Sequence, residues 1–118
     1  MAHILLAEDD DSLRGFLARA LEKAGHSVVA CENGDDAIDA LDMGPYDLLL
    51  TDIVMPGADG IEVARVAAQR QPGLRIMFIT GFAAVALTAA QSAPQAKVLS
   101  KPVHLRDLVA EVERMVAA

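Results

Sequence analysis

A chain of 118 residues fits one domain, large enough to bury a core without disulfides or metal to hold it together. With 53% hydrophobic and 23% charged residues the composition is globular, which excludes a disordered chain. The formal net charge of -7 argues against a nucleic-acid or anionic-membrane partner, because a phosphate surface would meet mostly like charge. The one cysteine, Cys31, has no partner for an internal disulfide and no companion at metal-ligand spacing, so it reads as a reduced thiol. The opening MAHILLAEDD lacks the basic n-region and cleavage site of a secretory signal, and a cytoplasmic protein is expected.

Ile4-Leu5-Leu6-Ala7 is an apolar run too brief for a helix, and it ends at acids. It reads as a buried strand. Leu13, Phe16, Leu17, Ala20 and Leu21 then recur at helical spacing up to Gly25, with Asp11 or Ser12 available to cap the start. A second strand is expected over 27–31 and a second helix over 35–43, closed by Gly44-Pro45. The third strand falls on 48–51. Ile61, Ala64 and Ala68 form one face of a third helix before Pro72-Gly73, and 75–79 gives the fourth strand. The fourth helix is expected within 83–91 and a short fifth strand at 97–100. Leu105, Leu108, Val109, Val112 and Val116 mark a last helix.

From Ile76 to Ala96 no residue is charged, which by length alone suits a membrane span. Gly81 and Pro94 break the segment, and Thr80, Thr88, Gln91, Ser92 and Gln95 add polarity. A buried strand followed by an alanine-rich helix is the better account, with no membrane insertion.

Strands and helices in strict alternation imply right-handed crossovers and a parallel sheet covered on both faces. The expected fold is α/β and doubly wound, with 1–118 as a single domain. In such a sheet the functional crevice lies beyond the carboxyl ends of the strands. Those ends carry Glu8 and Asp9, then Asp52, Thr80 and Lys101. Taken singly, each acid reads equally as a helix cap or a solvated turn residue, Thr80 as a plain strand residue and Lys101 as a surface lysine. Together they suggest a site. Carboxylates brought close repel one another unless a cation sits among them, and hard oxygen ligands suit Mg²⁺. A carboxylate is also a possible nucleophile toward phosphorus, and a lysine and a hydroxyl can serve the phosphoryl oxygens.

The set Glu8-Asp9, Asp52 with Met55-Pro56 and Gly60, Thr80, and Lys101-Pro102 resembles the receiver domain of two-component response regulators over the whole chain. The resemblance implies a flavodoxin-like sheet of strand order 2-1-3-4-5. It implies Asp52 as phosphoacceptor, with Glu8 (largely through water), Asp9, Asp52 and the Val54 carbonyl around Mg²⁺. Lys101 would pair with the phosphoryl oxygens, Thr80 would turn its hydroxyl toward them, and the Lys101-Pro102 peptide would be cis. The implied partners are a histidine kinase or histidine phosphotransfer protein.

Two departures bear on switching. Glu8 stands where the family more often has aspartate, and Val98 stands where many members place a switching aromatic. Phe82 is the aromatic best placed to substitute, or else a core residue at a helix start. No output domain is expected after the last helix, so output would come from the receiver surface. Among stand-alone receivers, AEDDDSLR and MFITGFA look closest to alphaproteobacterial cell-cycle adaptors that control proteolysis by a ClpXP-type protease and its unfoldase. A phosphate shuttle or sink between histidine phosphotransfer proteins is the alternative. An enzyme acting on a separate substrate is disfavoured, since His3, His26 and His104 form no motif. The chain is expected to act as a monomer or a weak phosphorylation-dependent dimer. The uncharged stretch 83–90, with Ala86 and Ala90 as its markers, is the expected partner surface together with the neighbouring strand and last helix. The closing Ala117-Ala118 resembles tails that bacterial unfoldases grip, or is simply a frayed helix end.

Overall fold

The computed structural model describes residues 1–93 and 95–117; the expectations that fell on Pro94 and Ala118 lie outside them. The elements are β1 (His3–Ala7), α1 (Asp11–Lys23), β2 (Ser27–Cys31), α2 (Gly34–Ala40), a 3₁₀ turn (Leu41–Met43), β3 (Leu48–Asp52), α3 (Gly60–Arg70), β4 (Arg75–Thr80), α4 (Ala83–Ser92), β5 (Lys97–Ser100) and α5 (Leu105–Ala117). The strands form one parallel sheet in the order β2-β1-β3-β4-β5, as the resemblance implies. Among the described residues no helix is long and apolar enough to cross a membrane.

The continuous apolar runs of β1, β3 and β4 are explained by burial on both faces, since successive side chains in a strand point to opposite sides. Leu5, Leu49 and Phe78 face one way and pack with Ala37, Val63, Ala64, Ala67 and Ala89 from α2, α3 and α4. Ile4, Leu6, Leu48, Leu50, Met77 and Ile79 face the other way and meet Leu17, Leu21, Leu108 and Val112 from α1 and α5. Each such large side chain removed from water contributes roughly 1.5–3 kcal/mol.

Several boundaries differ from expectation for local reasons. Asp10, not Asp11 or Ser12, caps α1, its carboxylate accepting the Leu13 N–H at 2.9 Å. Phe16 is 54% exposed and lies under the Arg19 guanidinium, 5.2 Å from the ring centroid, so it is not a core residue. The second helix stops at Ala40 and tightens into the 3₁₀ turn before Gly44. The buried face of α3 is Val63, Ala64 and Ala67, and Ala68 is exposed. Gly25 ends α1 as expected, with φ of 98°.

His26, which no motif singled out, is buried. Its Nδ1 accepts the Ala2 N–H at 3.0 Å, and its Nε2 lies 2.9 Å from Glu113 Oε1. The ring thereby joins the start of the chain to α5.

Candidate functional site

Register assembles the site. Ala7 pairs with Thr51 across β1 and β3, so Glu8, one residue on, lies beside Asp52 at the strand ends. Asp52 pairs with Ile79, and Thr80 pairs with Ser100 one residue before Lys101. Both Asp52 and Thr80 are the last residues of their strands, one position further into the sheet than the sequence reading had them. Glu8, Asp52 and Thr80 are buried, whereas Asp9 is exposed.

Glu8, Asp9 and Asp52 each bring a carboxylate oxygen within 4.8 Å of the other two. Lys101 Nζ donates to Asp52 Oδ2 at 2.8 Å and lies 3.0 Å from Glu8 Oε1. The second contact is an ion pair without hydrogen-bond geometry, and Glu8 Oε1 is left buried with no hydrogen-bond partner. Glu8 Oε2 accepts the Asp10 N–H at 3.1 Å. Asp52 Oδ1 accepts the Ile53 N–H at 2.7 Å. Burial, reinforced by the Asp52 charge, outweighs the Asp10 N–H and Lys101 and pushes the Glu8 carboxyl up to about 7. Partial burial lowers the Lys101 ammonium, but its pairing with Asp52 and Glu8 outweighs this and holds it above the usual lysine value.

A buried carboxylate oxygen without a hydrogen bond, beside two further carboxylates, is a donor set that a hard divalent cation would satisfy. The residues present therefore fit Mg²⁺.

Thr80 closes the far side. Its Oγ1 accepts the Phe82 N–H at 3.2 Å, and its carbonyl accepts the Lys101 N–H at 2.8 Å. The Lys101-Pro102 peptide is cis. Val54 sits in the loop after β3 and is 49% exposed. Phe82 immediately precedes α4 and is 59% exposed, which removes the reading of it as a core residue at a helix start. Val98 is half-buried, pairs with Phe78 in register and packs on the core. Ala86 is half-buried and Ala90 exposed on α4.

One contributor escaped the sequence reading. Arg14 donates to the Glu8 carbonyl at 3.0 Å and to Asp11 Oδ1 at 2.7 Å, tying the acidic loop to α1. The Asp11-Arg14 spacing was its only signal, and such a pair is ordinary on a helix surface.

A model of the response regulator receiver domain matches residues 4–113. The response regulator receiver protein CpdR of Brucella abortus is 60% identical over 119 residues, covering 100% of this chain and 99% of that protein. The DNA-binding transcriptional regulator NtrC of Klebsiella pneumoniae is 38% identical over 115 residues, which is 95% of this chain but only 24% of NtrC. Among solved structures, the response regulator protein TrrA from Thermotoga maritima, determined in complex with Mg(2+)-BeF, superposes with a TM-score of 0.86 at 28% identity, covering 98% of this chain and 99% of TrrA. Sheet order, strand-end residues and whole-length likeness agree, and the chain belongs to the response regulator receiver domain family.

Proposed function

We propose that the chain is a phosphorylation-gated signalling switch in which Asp52 accepts a phosphoryl group from the phosphohistidine of a histidine kinase or histidine phosphotransfer protein. One observation carries the reading: the oxygens of Glu8, Asp9 and Asp52 lie within 4.8 Å of one another while Lys101 Nζ is 2.8 Å from Asp52 Oδ2. Glu8, Asp9, Asp52 and the Val54 carbonyl would hold Mg²⁺, which when bound supplies the positive charge that lets carboxylates and phosphoryl oxygens share one site. The likeness to TrrA with Mg(2+)-BeF supports this assignment.

The Ile53 N–H fixes Asp52 Oδ1, so Oδ2 is the oxygen that exchanges Lys101 for phosphorus. Its O–P bond forms as the donor's N–P bond breaks, and the imidazole keeps the electron pair and takes a proton from solvent. Lys101 moves from the carboxylate to the phosphoryl oxygens, where a charge-assisted hydrogen bond holds it. The Thr80 hydroxyl turns from the Phe82 N–H to donate to the phosphoryl group, releasing a contact that sets the entry to α4.

Output passes through protein contacts of the cytoplasmic receiver, acting as a monomer or weak phosphorylation-dependent dimer. The whole-length likeness to CpdR supports residues 1–118 as one receiver unit, and with the resemblance in AEDDDSLR and MFITGFA it favours a cell-cycle adaptor in ClpXP-type proteolysis. The test is labelling by acetyl phosphate or a phosphohistidine donor with and without Mg²⁺, followed by pull-down of an unfoldase. Mg²⁺-dependent, acid-stable label that is absent from Asp52→Asn and alters unfoldase capture supports the switch. Label that persists in Asp52→Asn sinks the site assignment, and rapid onward transfer to phosphotransfer proteins without any change in capture replaces the adaptor by a shuttle.

A further inference from the structure

The helix α2 supplies no residue to the proposed site, yet its first turn is interlocked with the loop that does. The loop 53–59 leaves Asp52, carries Val54 and enters α3. Its ends are fixed on each other. Gly60 N–H donates to the Ile53 carbonyl at 2.7 Å, and a Cβ at Gly60 would overlap the Asp52 carbonyl oxygen. Its tip is fixed by α2. A Cβ at Gly34 would overlap the Ala58 carbonyl oxygen and stand 3.1 Å from the Ala58 Cβ. In the opposite direction, a Cβ at Gly57 would overlap Asp35 Oδ2. At each crossing the absence of a side chain on one segment admits an atom of the other.

The helix is a firm support for this contact. Asn33 Oδ1 accepts the Asp36 N–H at 2.7 Å and fixes the start of α2, while Ala37 is buried in the same core cluster as Met55 from the loop. The loop has little freedom to absorb a shift at its tip, because both ends are pinned and Met55 is held in the core. A displacement at Ala58 is therefore passed along the loop to Val54 and Asp52.

We propose that the first turn of α2 is a brace for the phosphoacceptor loop and that Gly34 is its positioning residue, acting through the Ala58 carbonyl. The inference rests on the Mg²⁺ reading above, which assigns the Val54 carbonyl to the ion. Asp35 acts in the same brace from the other side, its carboxylate lying over the bare Cα of Gly57.

The test compares Mg²⁺ affinity by calorimetry, with hydrogen exchange of the Gly60 amide in metal-free protein as a second readout. Gly34→Ala is expected to weaken Mg²⁺ binding about tenfold, the scale on which outer-shell supports act, and to speed Gly60 exchange. Val112→Ala removes core packing on the opposite face of the sheet, away from the loop, so it lowers stability while keeping wild-type affinity. Asp35→Ala weakens binding, and Asp35→Asn, equally uncharged but keeping the shape over Gly57, binds more tightly than Asp35→Ala. Unchanged affinity in folded Gly34→Ala, or an equal loss in Val112→Ala, overturns the brace. If Gly34→Ala does not fold, the Asp35 pair decides, and equal affinities overturn it. Wild-type protein that binds no Mg²⁺ overturns the metal reading instead, and Gly60 exchange in Gly34→Ala against Val112→Ala then decides the brace alone.

Discussion

Glu8 is buried beside Asp52 with one oxygen lacking a hydrogen bond, and in the absence of metal that burial costs stability. Its folded pKa is raised from 4.5 to about 7, so the folded state holds the proton more tightly than the unfolded chain. The stabilisation is complete below about 4.5 and is lost as pH rises through 7. Metal-free protein is thus expected to lose a few kcal/mol at most over that range, one pKa unit being ~1.4 kcal/mol. Glu8→Gln removes this dependence, and the gap between variant and wild type in urea unfolding should widen from pH 5 to 7.5. The histidines cancel in the comparison; a constant gap would mean Glu8 is ionised throughout. Thr80 belongs to the same scale. Thr80→Ala should keep Asp52 labelling while the α4 amide shifts expected on phosphorylation of wild type are absent, because a hydrogen bond to a charged group worth roughly 1.5–3 kcal/mol is lost.

Among the helices, α4 packs on the core through Val85 and Ala89, joined by Ala93 just past its end, and has no charged residue. Its outer side exposes Ala84, Thr88, Ala90 and Leu87, the last 63% exposed. Exposed alanines alone cost little and favour a helix, but the leucine does not fit that account, and an apolar strip at the end of the proposed switch path would suit partner contact. Because Ala86 is half-buried, a charge there disturbs packing as well as the surface. Leu87→Asp and Ala90→Arg are cleaner. Each is expected to weaken capture of the phosphorylation-dependent partner by about 1 kcal/mol or more without affecting Asp52 labelling. Normal partner affinity in both variants would move the surface away from α4.

Across the whole molecule, two core layers share one sheet, and the cation proposed at its edge would be linked to folding. On that proposal, Mg²⁺ at a hundred times its Kd should add about 2.7 kcal/mol, the figure for a ligand that binds the folded state alone. The rise in Tm should vanish in Asp9→Ala; an equal rise there would place the ion elsewhere. Leu50→Ala, at the centre of the α1-α5 layer, should cost about 2–5 kcal/mol, whereas Phe16→Ala at an exposed position should fall within about 0.5 kcal/mol of wild type.

The residues that make strands and helices alternate, and the acids, threonine and lysine at the strand ends, were legible in the chain because hydrophobic period and turn chemistry are local properties. Ser27–Cys31 and Lys97–Ser100 fall where the pattern put them for that reason. The sheet order followed from family resemblance; periodicity alone does not specify which strands are neighbours. Phe16 and Ala68 were misassigned because helical spacing locates an apolar stripe only to within about a residue's rotation, and which edge is wet depends on what packs opposite. Tertiary structure alone decided that Glu8 contacts Lys101 directly, that Arg14 ties down the Glu8 carbonyl, and that Gly34 meets the Ala58 carbonyl. These contacts join segments through space, and their distances depend on strand register and helix docking, which no local stretch of sequence contains.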